Sequence, residues 1–145
     1  MKIEKKYADP KHYSDKRQDK ILYIVIQTLE NKPTPHYHVV DGKAIQVIPD
    51  DFMSDSVNGG QLNRNGYLHG ICHKYNSISI GVTDNMSEDD IAMCFNLIMT
   101  LKQRYDIKNE NIVRQKDVTG EYNPCIWCDN DKWNKDIKDK LIDLS

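Results

Sequence analysis

The 145-residue sequence has no strong charge of either sign, no long apolar run, no internal repeat and few cysteines, and each absence removes a class of function. Twenty Lys and Arg against 22 Asp and Glu leave a formal net charge of -2, so there is no basic stripe to hold nucleic acid and none to hold an anionic membrane surface. No stretch approaches the ~18 to 20 consecutive apolar residues that span a bilayer. The opening MKIEKKYADPKHYSDKRQDK is charged throughout and lacks the apolar centre of a signal peptide. The expectation is a cytoplasmic protein whose four cysteines, Cys72, Cys94, Cys125 and Cys128, are reduced thiols. Only Cys125 and Cys128, in CIWC, have motif spacing.

What remains is a sequence with 39% hydrophobic and 29% charged residues, enough for one core, and it reads as a single domain over 1–145 with 1–19 as an N-terminal extension. Apolar, β-branched runs predict strands at 21–28 (ILYIVIQT), 37–40 (YHVV), 43–49 (KAIQVIP) and 76–83 (NSISIGVT), with Asp41-Gly42 as a hairpin turn between the second and third. A helix is predicted over 87–105, capped by Ser87, led by Glu88, Asp89 and Asp90, with Ile91, Cys94, Phe95, Ile98, Leu101 and Tyr105 at helical spacing. NIVRQKDV (111–118) reads as a further strand. Trp133, Ile137, Leu141 and Leu144 mark a final amphipathic helix near 132–143. Between 50 and 75, Gly59, Gly60, Gly66 and Gly70 indicate a long irregular excursion, a kind of segment that is often functional. The pattern is that of a mixed α/β domain, a mixed sheet flanked by helices.

Several of these stretches, in this order, resemble the zinc-dependent N-acetylmuramoyl-L-alanine amidases of phage endolysin and peptidoglycan-recognition type. The resemblance runs through YIVIQT, HYHVVDGKAIQVIP, NSISIGV, the long helix, YDIKNENIVRQKDVTG and the Trp133 helix, over residues 12 to 144. It implies an amidase-like fold and a zinc site, but the matched ligand positions carry amides. The family's first strand ends in a histidine ligand where this chain has Gln27. A second histidine, in a pattern resembling IVRHxDVTG, falls on Gln115, and the third ligand, a cysteine or aspartate before a proline, falls on Asn123 before Pro124. Tyr37 matches the family's tyrosine beside the zinc. The lysine or threonine that the family has two positions before its third ligand is here Glu121, and the glutamate after the NSISI strand is here Gly81. The family's helix between the first strand and HY is replaced by LENKPTP, where Pro33 and Pro35 forbid a helix of several turns.

Catalytic zinc is held by imidazole, thiolate or carboxylate and lowers the pKa of its water to about 7, and neutral amides supply neither the donors nor the charge. No zinc cofactor is expected. Gln27, Gln115 and Asn123, with Tyr37 and Glu121, are instead expected to converge as a polar ligand-binding pocket free of metal. If Tyr37 faces that pocket, strand alternation turns His36 and His38 away from it. His12 and His69 take no assigned role, and Cys94 reads as a small core residue.

Two readings follow. One is a catalytically inactive amidase-like protein, a pseudo-amidase that binds a peptidoglycan fragment or a protein partner; the resemblance implies such a role because family members lacking a zinc ligand bind without hydrolysis. The other is an enzyme, either an N-acetylmuramoyl-L-alanine amidase with an altered metal site at Cys72, Cys125 and Cys128, with His73 as a further ligand, or a different hydrolase. CIWC also has the spacing of a redox pair, without the strand-then-helix setting of one. The resemblance is compatible with a phage or prophage origin and release through a holin, and no wall-binding repeats are expected within these 145 residues. Oligomeric state is not legible.

Overall fold

A computed structural model describes residues 1–12, 15–29, 34–57, 66–68 and 70–144. Six strands, β1 (Ile3–Lys5), β2 (Tyr23–Thr28), β3 (Tyr37–Val40), β4 (Lys43–Gln46), β5 (Ser77–Val82) and β6 (Ile112–Arg114), form one sheet in the order β1-β4-β3-β5-β2-β6. Only β3 and β4 run antiparallel; every other neighbouring pair is parallel. β2 and β5 sit inside the sheet and are buried almost end to end, which is why YIVIQT and SISIGV are continuous apolar and small-residue runs rather than half-polar ones.

Strand alternation sorts these residues into two layers. Ile24, Ile26, Tyr37, Val39, Ile78, Ile80 and Val82 pack with Cys94, Leu97, Ile98 and Leu101 of helix α1 (Glu88–Tyr105) in the main core, and each buried aliphatic side chain contributes about 1.5–3 kcal/mol. Tyr23, Val25 and Val113 point the other way and meet Val57, Cys72 and Val118 in a smaller cluster. The hairpin turn between β3 and β4 places Asp41 at φ 53 and Gly42 at φ 71, the paired positive φ values that a two-residue turn needs and that Asp-Gly tolerates. Gly42 N then donates to Asp90 Oδ1 at 2.6 Å, locking the turn to the first turn of α1. Ser87 Oγ caps that helix by accepting from Asp90 N at 3.1 Å.

Four elements differ from the sequence expectation, and in the first the strand expected over 43–49 ends at Gln46. Residues 1–19 are not wholly an appendage, because Ile3–Lys5 forms the edge strand β1 alongside β4. The strand expected over 111–118 ends at Arg114, and Gln115–Thr119 is a short helix, α2. Asp117 causes the switch: its Oδ2 accepts from Arg114 N at 2.9 Å, capping the helix start, and its carboxylate grips the Arg114 guanidinium at 2.9 and 3.2 Å. The C-terminal helical run is α3 (Asn130–Trp133), a π-helical turn (Asn134–Lys138) and α4 (Asp139–Asp143), beginning two residues earlier than expected. Trp133, Ile137 and Leu141 are buried as their spacing predicts, whereas Leu144 lies past the helix and is 64% exposed. Among the described residues no helix is long and apolar enough to cross a membrane. Pro33, Gly59, Gly60 and His69 lie outside the described residues.

Candidate functional site

The three amides that the sequence singles out come together where β2 and β6 end. Ile26 pairs with Arg114 across β2 and β6, so the next residue on each strand, Gln27 and Gln115, also lie side by side. Gln27 Nε2 donates to Gln115 Oε1 at 3.3 Å and to Ser56 O at 3.1 Å. Both side chains are buried, at 4% and 3% exposure. Asn123 closes the group from the loop after α2: its Oδ1 accepts from Thr28 N at 2.6 Å, and its own carbonyl accepts from Lys116 N at 2.7 Å. Gly120, at φ 83, ends α2 in a left-handed turn and sends the chain back toward β2.

Tyr37 does not join them, which corrects the expected pocket. It pairs with Ile80, which pairs with Ile26, so all three point into the α1 core, and Tyr37 has no exposed surface. Its hydroxyl donates to Asp50 Oδ1 at 2.6 Å, and Asp50 also receives Gln46 Nε2, Arg104 Nη1 and Tyr105 OH. Burial followed by the Asp50 charge raises the Tyr37 phenol far above its ordinary pKa, so it stays a neutral donor. The relation assigned to the two histidines therefore reverses: His38 pairs with Gly81, the partner of Gln27, and His36 contacts Ser79. Both occupy the amide face of the sheet.

His36 anchors a buried network that sequence reasoning missed. The backbone N–H of Ser79 donates to His36 Nδ1 at 3.1 Å, which leaves the ring proton on Nε2, and Nε2 donates to Phe52 O at 2.8 Å. Ser79 Oγ accepts from His36 N and from Ser56 Oγ, both at 3.1 Å, and Ser56 Oγ is 2.8 Å from Ser54 Oγ. Arg17 closes the outer end, donating to Asp50 O at 2.9 Å and Phe52 O at 3.2 Å. Desolvation lowers the His36 pKa to about 4, so the ring is neutral near pH 7. Ser79 is fully buried, so this Ser–His contact has no reachable nucleophile and acts as a polar strut behind the amides. A serine in the middle of an apolar strand was the available sequence signal.

The remaining expected residues separate. Glu121 is exposed on the turn between α2 and Asn123, and its backbone N–H, not its carboxylate, bonds Thr119 Oγ1 at 3.3 Å. A Cβ at Gly81 would stand 2.8 Å from Pro35 Cγ and 2.9 Å from Leu29 Cδ1, so no larger residue fits there without displacing the chain that leads into β3. Cys72 is buried in the Tyr23–Val113 cluster, where desolvation pushes its thiol up to about 12. Cys125 is exposed and Cys128 buried in the 3₁₀ turn after Pro124. The three thiols proposed as a replacement metal site are not brought together: among the described residues no group of three or more His, Cys, Asp or Glu could hold a metal ion. Nor do the amides fit a catalytic zinc. One of the two glutamines turns its N–H rather than its oxygen toward the other, Asn123 Oδ1 is already engaged, and none of the three carries charge.

No protein-family model matches the sequence, and no curated protein matches it. Solved structures do match. A mutant endolysin from Bacillus subtilis aligns at a TM-score of 0.76 with 21% identity over 97% of this chain and 98% of that one. The catalytic domain of PlyG aligns at 0.74 with 22% identity over 99% and 94%. The N-acetylmuramoyl-L-alanine amidase LysC from Clostridium intestinale aligns at 0.64 with 17% identity over 98% of both chains. The chain thus has the mixed α/β fold of endolysin and amidase catalytic domains across nearly its whole length.

Proposed function

We propose that this chain is a pseudo-amidase, a domain of amidase fold that binds a peptidoglycan fragment, or failing that a protein partner, without hydrolysing it and without zinc. The observation that carries the reading is the hydrogen bond from Gln27 Nε2 to Gln115 Oε1. At the two positions that the family resemblance assigns to histidine ligands, this chain has neutral amides bonded to one another. They supply no ion to activate water. Glu121 gives no cation to stabilise an oxyanion, and Gly81 leaves no room for a glutamate. The fold similarity to endolysin and amidase domains supports peptidoglycan as the ligand class.

Calorimetric titration of the protein with muropeptides and free stem peptides, with and without a chelator, tests this. Binding that survives the chelator is the expected result. Chelator-sensitive binding contradicts the metal-free site, and absence of binding to every wall fragment transfers the proposal to a protein partner.

A further inference from the structure

CIWC follows Asn123 and Pro124, and its backbone sets the two cysteines on one side of a single turn. Cys125–Trp127 is a 3₁₀ turn, and the Cys128 N–H donates to Cys125 O at 3.4 Å. Such a turn has three residues and rises about 2 Å per residue, so positions three apart eclipse with Cα atoms about 6 Å apart, inside the ~4.4–6.8 Å range of disulfides. The turn is pinned in this form. Trp127, which has no exposed surface, donates from Nε1 to Asp136 Oδ2 at 2.9 Å. Arg114 Nη1 donates to Trp127 O at 2.9 Å and Lys116 Nζ to Cys128 O at 3.1 Å. Cys125 is exposed and Cys128 buried, both as free thiols. Cys94 and Cys72 lie elsewhere, in the main core and in the smaller cluster on the other face of the sheet.

We infer that Cys125 and Cys128 form a thiol–disulfide exchange site whose reaction partner is a low-molecular-weight disulfide. Cys125 is the sulfur that such a molecule reaches. Its thiolate attacks one sulfur of the incoming disulfide, forming a mixed disulfide and releasing one thiol. Cys128 then gives up its proton and attacks Cys125 Sγ from within the turn, forming the Cys125–Cys128 bond and releasing the second thiol. Two cysteine thiols lose two electrons and two protons, and the incoming disulfide gains both and leaves as two thiols. Burial raises the Cys128 pKa, with the Lys116 charge acting against it, which makes Cys125 the attacking sulfur and Cys128 the resolving one. Among the described residues no third His, Cys, Asp or Glu joins the pair to complete a metal site, so exchange is the chemistry open to it. None of this depends on what the amides bind.

Peptide mapping by mass spectrometry after incubation with excess oxidised glutathione is the test, on the natural protein, Cys125→Ser and Cys128→Ser. In the natural protein the expected product is a Cys125–Cys128 bond, seen as the loss of two hydrogen atoms from the peptide spanning 125–128, with Cys72 and Cys94 still free and the change reversed by a reducing dithiol. Cys128→Ser is expected to stop at a glutathione adduct on Cys125, and Cys125→Ser to leave Cys128 unmodified. A glutathione adduct on Cys125 as the end product of the natural protein, a bond joining Cys125 of two chains, or no reaction at Cys125 overturns the inference. These readings come from the natural protein alone, so they stand even where a variant fails to fold. A glutathione adduct on Cys128 in folded Cys125→Ser overturns the order of attack.

Discussion

Gln27 Nε2 sits 3.3 Å from Gln115 Oε1, joining residues 88 apart in sequence at the ends of two adjacent parallel strands. The parallel pairing of β2 with β6 brings any residue after Ile26 beside any residue after Arg114, so the scaffold delivers two side chains to one point whatever they are. In this chain the delivered pair is two neutral amides joined by a hydrogen bond.

That hydrogen bond predicts a coupled energy. Gln27→Leu alone leaves Gln115 Oε1 and Ser56 O unmet, and Gln115→Leu alone strands a Gln27 proton, so each single change is expected to cost about 1–3 kcal/mol. The double change removes both partners of the bond and is expected to cost less than the sum by about 0.5–1.5 kcal/mol. Denaturant unfolding of the four proteins measures it; strict additivity would mean that the bond contributes nothing.

Gly81 predicts a steric limit. Gly81→Glu puts a Cβ 2.8 Å from the Pro35 ring, and a proline ring cannot swing aside as a long side chain would. The expected loss is about 1–3 kcal/mol, seen as a lower melting temperature. Unchanged stability would show that the approach to β3 shifts freely.

Buried His36 predicts a pH dependence. Its folded pKa of about 4 lies below its ordinary 6.5, so the folded state binds fewer protons than the unfolded one between these values. Stability is fully present above about pH 6.5 and falls as the pH drops toward 4, by on the order of 3 kcal/mol. Unfolding free energies at several pH values, for the natural protein and His36→Gln, check it. The variant is expected to lose this portion of the slope, and an identical slope would remove His36 as its source.

Much of the architecture was legible because local chemistry and tertiary context agree. The runs at β2 and β5, the Asp41-Gly42 turn and the Ser87 cap all formed as read. The amide cluster was legible only through family resemblance, since nothing local brings Gln27 to Gln115. Tyr37 failed for a reason of period: a strand alternates faces at each residue, and the pairing of Tyr37 with Ile80 puts its side chain on the core side. The helix at Gln115–Thr119 was hidden in an apolar run, although Asp117 and Gly120 flank it as cap and stop. β1 was missed because three residues on a sheet edge carry too little pattern.

Restoring the ligands separates binding from chemistry. The variant Gln27→His, Gln115→His, Asn123→Cys supplies two imidazoles and a thiolate at the positions that the amides occupy, and it is expected to take up zinc, measured as metal content after dialysis. Hydrolysis is expected to stay absent, because Glu121 and Gly81 remain. Failure to retain zinc would indicate that the three positions do not converge as described.

The pseudo-amidase reading meets its most direct test in one assay: release of stem peptide from a muramoyl-peptide substrate by the natural protein, with zinc supplied in excess. The account predicts no release above the protein-free control. Release that zinc supports and a chelator abolishes would contradict it.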